Sequence, residues 1–351
     1  MPNSNYSDFN DPVGLAFRML RRPTRESVWL LMQMACEVAA KPVHRVAARG
    51  ERFEERDVDI PQILIVGLPR TGTTIVSQVL TRQLDVSYFP NVSAIFPSAP
   101  IWASKRIAGN FKSAPTTTKN FYGSTVGLRG ISDGFHIWNR WFGSHRYCVD
   151  RTPNDDEVVQ LQEFFATWSG VFQKPLLNKN NRNVDAIARL AEYLPNAVFV
   201  VVERDDAMTV QSLLQARRFV QGTDSTGWGL YSNRFHKKEA DPITSVSKQV
   251  VFASRRMEEQ LSHVSQKRLV RLRYEEFCDS PMSGVERVLE SVDGLTTRPK
   301  IQRSVFPALT ANSKVSVSAE QWRRIQHELA EARESAETSI TSRSRCNESV
   351  S

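Results

Sequence analysis

Cysteine is scarce. Four stand in 351 residues, at positions 36, 148, 278 and 346. None forms a C-x-x-C pair and no histidine cluster with metal spacing lies near, so neither a zinc site nor a disulfide framework is expected, and the thiols read as reduced. A bilayer-spanning apolar run is also missing. The longest apolar stretch near the N-terminus, Val28 to Ala40, is too short and carries Gln33 and Glu37. It lies too far in for a signal peptide and reads as an amphipathic helix packed on the domain. Long runs of like charge are absent, as is the interleaving of aromatic and basic residues that marks binders of RNA or single-stranded DNA. No nucleic-acid partner is expected, and the expected compartment is the cytoplasm. No internal repeat is visible.

What charge there is leans one way. Lys and Arg number 46 against 38 Asp and Glu, a formal net charge of +8. This favours anionic partners such as nucleotides or anionic polymers without choosing among them. The 40% hydrophobic content suffices for one large α/β domain with appendages, or for two domains.

Residues 1–58 read as a charged, helical N-terminal extension, with Thr24 capping a helix and Pro42 breaking it. A β-branched run at Ile63 to Val66 then leads into Gly67-Leu-Pro-Arg-Thr-Gly-Thr-Thr74, and apolar residues at 75, 76, 79, 80 and 84 follow at helical spacing. Residues 85–130 are rich in Pro, Ser, Thr, Gly and Asn and read as an irregular substrate-loop insertion that extends to about 150. A helix over 155–173, a strand at Leu176-Leu177, a helix over 184–193 and strands at 198–202 and 268–277 complete an alternation of strands with helices. This pattern predicts an α/β, three-layer P-loop-like fold with a central parallel sheet flanked by helices, spanning 59–330. The polar stretch 331–351 is expected to be a mobile tail.

The glycine spacing of the loop is that of the nucleotide-binding G-x-x-x-x-G-K-[ST], with Thr73 where the lysine belongs. Gly67 and Gly72 allow a tight turn and a close approach to an anion. Backbone N–H groups at the helix N-terminus, the hydroxyls of Thr71, Thr73 and Thr74, and the Arg70 guanidinium suit a phosphate. The loop is poorly suited to ATP hydrolysis, which needs the missing lysine and a strand-end Asp to hold Mg²⁺. Asp205 and Asp206 stand two residues past the strand end. A glycine pair after a strand fits an ordinary strand-to-helix turn as well.

Two further stretches narrow the choice. "VFVVVERDDAMTVQSLL" places Arg204 after a strand and Ser212 eight residues on, a little over two helical turns, so both can face one anion. "RLRYEEFCDSP" is a strand ending in Tyr274 before an acidic turn and proline. The loop and these stretches, in this order over 63–281, resemble the three motifs of sulfotransferases that use 3′-phosphoadenosine 5′-phosphosulfate (PAPS). The resemblance covers about two thirds of the chain. It implies that Gly67, Pro69, Arg70, Thr71, Gly72, Thr73 and Thr74 hold the 5′-phosphosulfate, that Arg204 and Ser212 bind the 3′-phosphate, and that Tyr274 contacts adenine. PAPS is then the co-substrate, adenosine 3′,5′-bisphosphate the product, a hydroxyl-bearing acceptor the partner, and no metal is required. Arg70 is expected to stabilise charge on the leaving oxygen.

In many members of that family the base is a histidine two residues after a lysine. Here the place reads Lys179-Asn180-Asn181, so Lys179 can approach the sulfuryl group while Asn181 cannot take a proton. Asp133 is the first candidate base and His136 the second. Asp133 equally fits a helix cap, and His136 an interior histidine. Trp138, Trp141 and Phe142 share a helical face and are expected in the core rather than in a sugar-stacking wall. Arg217 and Arg218 read as a solvated face, one of them within reach of the 3′-phosphate. The glycine-rich stretch 221–233 reads as a second substrate loop. The Arg-Lys-Gly that closes the 3′-phosphate site in animal cytosolic members is missing, with Lys314 as its candidate substitute. A P-loop nucleotide kinase and a non-catalytic nucleotide-binding protein are the alternative readings.

Overall fold

A computed structural model describes residues 12–21, 24–40, 60–112, 120–121, 124–235, 241–299 and 309–348. Among the described residues, two N-terminal helices, α1 (Pro12–Arg21) and α2 (Arg25–Ala39), precede the first strand, β1 (Gln62–Val66). The expected cap is present: the Ser27 N–H donates to the Thr24 hydroxyl at 3.1 Å. The break expected at Pro42 lies outside the described residues. After β1 come α3 (Thr73–Gln83), α4 (Asn91–Ile95), α5 (Pro100–Ala108), a short hairpin of β2 (Asn120–Phe121) and β3 (Ser124–Thr125), α6 (Phe135–Phe142) and α7 (Asp155–Phe172). The chain continues through β4 (Leu176–Lys179), a 3₁₀ turn (Asn181–Ala186), α8 (Ile187–Tyr193), β5 (Val198–Glu203), α9 (Asp206–Gln221), α10 (Ser232–Phe235) and α11 (Pro242–Leu261). A second 3₁₀ turn (Gln266–Arg268) leads into β6 (Leu269–Arg273), and α12 (Tyr274–Asp279), α13 (Pro281–Glu290) and α14 (Ala319–Glu348) follow.

The main sheet is parallel in the order β4-β1-β5-β6. Its two central strands are buried on both faces, so side chains alternate between two cores. Leu64 and Val66 of β1, with Phe199 and Val201 of β5, pack into one core with residues of α6 to α9, α11 and α14. Ile63 and Ile65, with Val198, Val200 and Val202, pack into the other with residues of α3 and α13. Helices on both faces of one parallel sheet make the expected three layers. The chain runs from β1 outward to β4 on one side, then returns to β5 on the other. Connections therefore diverge at the C-terminal ends of β1 and β5, where a parallel sheet leaves a crevice for ligands.

Four expectations change. The strand expected over 268–277 stops at Arg273, and Tyr274 opens a helix instead. The helix expected over 184–193 is a 3₁₀ turn up to Ala186 and α-helix only from Ile187. The stretch 85–130 is not merely irregular. It contains α4, α5 and the hairpin, and the fully buried Arg298 guanidinium anchors its start by donating to the carbonyls of Thr81, Val86 and Phe111. Finally, no boundary falls at 330: α14 runs through it, and Ile325, Leu329 and Ala332 are buried on the core. Ile325, Leu329 and Ala332 follow an i, i+4, i+7 spacing that crosses the expected boundary, and Ala332 is too small to mark it in a polar stretch.

Candidate active site

The turn between β1 and α3 is shaped by close contacts. A Cβ on Gly67 would lie 2.6 Å from the Val202 carbonyl oxygen, so the turn sits directly on β5. Gly72 caps α3 at φ 93°, and a Cβ there would lie 2.2 Å from the Tyr274 ring. No side chain caps α3, so the N–H groups of its first turn are available to an anion. Arg70 is strained at φ 76°, a region costly for a non-glycine residue. Its backbone carbonyl accepts from Arg204 Nη1 at 2.8 Å, and its own Nε donates to Ser212 Oγ at 3.0 Å. The strained residue of the first motif is thus held by both charged and polar residues of the second.

Tyr274 closes the same space. The Arg204 guanidinium stacks over its ring at 4.8 Å, and its hydroxyl accepts from the Asn312 N–H at 3.4 Å. Burial pushes the phenol pKa up. Pro69, Arg70, Gly72, Thr73, Thr74, Lys179, Arg204, Ser212 and Tyr274 line a single cavity, together with Ile75, Asn181, Trp228 and Asn312. Of the expected donor-site residues, Gly67 and Thr71 stand behind this wall. The Thr71 hydroxyl is spent inside the turn, donating to the Leu68 carbonyl at 2.8 Å.

The match to a family model is decisive here. Residues 61–297 match the model described as "Sulfotransferase family", about two thirds of the chain. The chain belongs to the sulfotransferase family. Its fold is similar to that of sulfotransferase STF1 from Mycobacterium tuberculosis H37Rv, at 11% identity and TM-score 0.51, with 90% of each chain covered. Sulfotransferase STF9 from Mycobacterium avium is also similar, at 16% identity and TM-score 0.47, with 88% of this chain and 77% of that one covered. A comparison with curated proteins gave no match.

On the other side of the sulfotransferase cavity stands the end of β4. Lys179 is only 6% exposed, and burial lowers its pKa, against the opposing pull of Asp133. Asn181 donates to the Gly67 carbonyl and to Thr73 Oγ1, the latter at 3.2 Å. The residue in the place of the missing histidine therefore ties the end of β4 to the β1–α3 turn. Asn178 and Asn180 each donate to the Asp133 carbonyl at 3.2 Å, and Asn178 Oδ1 accepts from the buried Trp138 Nε1 at 2.8 Å. The Asp133 backbone is thereby fixed beside Lys179, while its carboxylate is exposed and accepts the Phe135 N–H at 3.1 Å. The N-cap of α6 is Gly134 and not Asp133, whose carboxylate lies within the electrostatic reach of Lys179 and Arg182. Neither Asp133 nor His136 lines the cavity itself.

Several placements differ from the sequence reading. Arg70 donates its Nε to Ser212 Oγ at 3.0 Å and lines the cavity together with Lys179. Arg217 is not on a solvated face: it is fully buried, donates to Ser245 Oγ at 3.2 Å and Gln249 Oε1 at 2.8 Å, and has a pKa lowered to about 10 by burial. It organises the 221–233 stretch by donating to the Asp224 carbonyl at 3.3 Å, and that stretch delivers Trp228 to the cavity. Arg218 remains an exposed ion pair with Asp224. Lys314 does not line the cavity, its side chain is exposed and its carbonyl accepts from Gln211, whereas Asn312 is part of the lining. Trp138, Trp141 and Phe142 are in the core as expected. Asn181 could have been foreseen from its spacing to Lys179, but no sequence signal marks Asn312. Among the described residues no group of three His, Cys, Asp or Glu could hold a metal.

Proposed function

We propose that this sulfotransferase moves the sulfuryl group of PAPS to an acceptor hydroxyl by in-line displacement, in the cytoplasm. The observation that carries the reading is the Arg70–Ser212–Arg204–Tyr274 contact, which unites the three motifs on one cavity. The 5′-phosphate is assigned to the N-terminus of α3 with Thr73 and Thr74, and the 3′-phosphate to Arg204 and Ser212. The acceptor oxygen attacks sulfur while the bond from sulfur to the bridging phosphate oxygen breaks. Its electron pair stays on the phosphate, giving adenosine 3′,5′-bisphosphate. Lys179 and the α3 N–H groups stabilise that charge, and Asp133 receives the hydroxyl proton.

Isothermal titration with adenosine 3′,5′-bisphosphate tests the donor assignment, and a flat titration at millimolar ligand would refute it. Trp228→Ala is expected to weaken this ligand about tenfold, through loss of a large aromatic wall. Asp133→Asn is expected to leave that affinity unchanged and to lower kcat about a hundredfold in a labelled-sulfate transfer assay. Unchanged turnover would move the base elsewhere.

A kinase reading is disfavoured by the strand-end acids. Asp205 caps α9 by accepting the Met208 N–H at 2.9 Å, and Asp206 pairs with Arg333, so neither faces a metal at the phosphate turn. A non-catalytic binding protein would bind the bisphosphate and transfer no sulfate to any acceptor.

A further inference from the structure

Exposed large apolar side chains are not scattered over this protein. On α1, Val13, Phe17 and Leu20 are 78%, 59% and 57% exposed. Their i, i+4, i+7 spacing puts them on one face, opposite the buried Leu15 and Met19. On α2, Val28 and Met32 are 41% and 55% exposed at i, i+4. On the insertion, Trp102, Ile107 and Leu128 are each more than a third exposed. Among the described residues, only Val159, Met282 and Val315 join these elsewhere.

The elements that carry them touch one another. Helix α1 packs on α2 and on α9, and Arg18 donates to the carbonyls of Phe219 and Val220 at the end of α9. Helix α2 packs on α4 and on the β2–β3 hairpin, and α4 packs on α5. The same assembly is basic. Its described stretches, 12–21, 24–40, 91–112 and 124–130, hold seven Lys or Arg and two Glu. The excess is five positive charges, more than half of the +8 of the whole chain. Two of the exposed aromatics carry a guanidinium over the ring, Arg21 at 5.3 Å from Phe17 and Arg106 at 5.4 Å from Trp102.

We propose that the N-terminal helix pair and the insertion form a surface that docks on an anionic lipid bilayer. Exposed apolar residues interleaved with cations, without a spanning helix among the described residues, suit a helix lying in the headgroup region. An aromatic paired with arginine suits the same boundary. A second protein copy would meet the uncompensated positive charge of its own twin, which makes it the poorer occupant. Resting on the sulfotransferase reading, the consequence is that the acceptor hydroxyl belongs to an amphiphile held in that bilayer, because the insertion joins the Asp133 segment, Pro90 bridging Ile131 and the Phe89 carbonyl accepting the Ser132 N–H at 2.7 Å.

The test is co-sedimentation with vesicles of phosphatidylcholine alone and of phosphatidylcholine with 30% phosphatidylglycerol. Most of the full chain is expected in the pellet with the anionic vesicles at low salt, with at least a tenfold loss on neutral vesicles or at 0.5 M salt. The double variant Phe17→Glu, Leu20→Glu should lose at least tenfold in vesicle affinity while keeping the bisphosphate affinity and circular dichroism of the parent. Met282→Glu should change nothing. Failure to bind anionic vesicles, or equal binding by the double variant, overturns the proposal. So does a dimer in light scattering that the double variant converts to monomer, since the face would then be a subunit contact. Vesicle binding needs no donor nucleotide, so this result stands apart from the titration that tests the donor.

Discussion

Arg204→Ala is expected to weaken adenosine 3′,5′-bisphosphate about a thousandfold, roughly 4 kcal/mol. Three features make the loss large. The guanidinium is a planar donor fork suited to a phosphate. Its Nε is buried and finds no hydrogen-bond partner among the described residues, so an anion there satisfies a group that is otherwise costly. Its Nη1 holds the strained Arg70 carbonyl, so truncation also frees the phosphate turn. Titration with adenosine 5′-monophosphate separates these effects. That ligand lacks the 3′-phosphate and should change by no more than a few-fold. Equal losses for both ligands would mean that Arg204 acts by holding the turn and not by binding phosphate. Arg204→Lys should recover only part of the affinity, since an ammonium cannot replace the fork.

Lys179→Met is expected to lower kcat about a thousandfold and at the same time to stabilise the fold. The amine is buried at the end of β4 beside the cavity, and burial lowers its pKa below the usual 10.5. Below its folded pKa the amine is charged in both the folded and the unfolded chain, and the folded chain bears the full desolvation cost. Above that pKa the folded chain releases the proton first, and the cost fades until the unfolded lysine also titrates near 10.5. The gain in urea midpoint for Lys179→Met should therefore be full below the lowered folded pKa and shrink as pH rises from there toward 10.5. The activity loss has the opposite origin: a developing negative charge on the leaving oxygen meets no cation. Lys179→Arg should retain some turnover and lose the decline that deprotonation of the lysine imposes as pH rises. A variant with unchanged kcat would remove Lys179 from the chemistry, whatever its effect on stability.

Much of this site was legible because the motifs are local. The β1–α3 turn needs glycines next to a strand end, and the arginine–serine pair needs a fixed helical spacing, so both leave marks in a few adjacent residues. The central strands were legible for the same reason: residues buried on both faces form continuous apolar runs. Arg217 shows the limit of such marks. Next to Arg218 on a helix it reads as solvated, yet Ser245, Gln249 and the Asp224 carbonyl, up to 32 residues away, enclose it. Tyr274 shows another. The strand pattern runs through it, but the chain turns into a helix there, which lays its ring under Gly72.

The sequence by itself determined the parallel α/β framework, the glycine turn after β1 and the arginine–serine spacing after β5, because periodicity and short spacings are written along the chain. Only the tertiary structure decided that Arg70 meets Ser212, that Asn181 and Asn312 wall the cavity, and that the exposed apolar residues gather on one assembly. Those facts depend on which segments, far apart in the chain, fold against each other, and no local pattern encodes that distance.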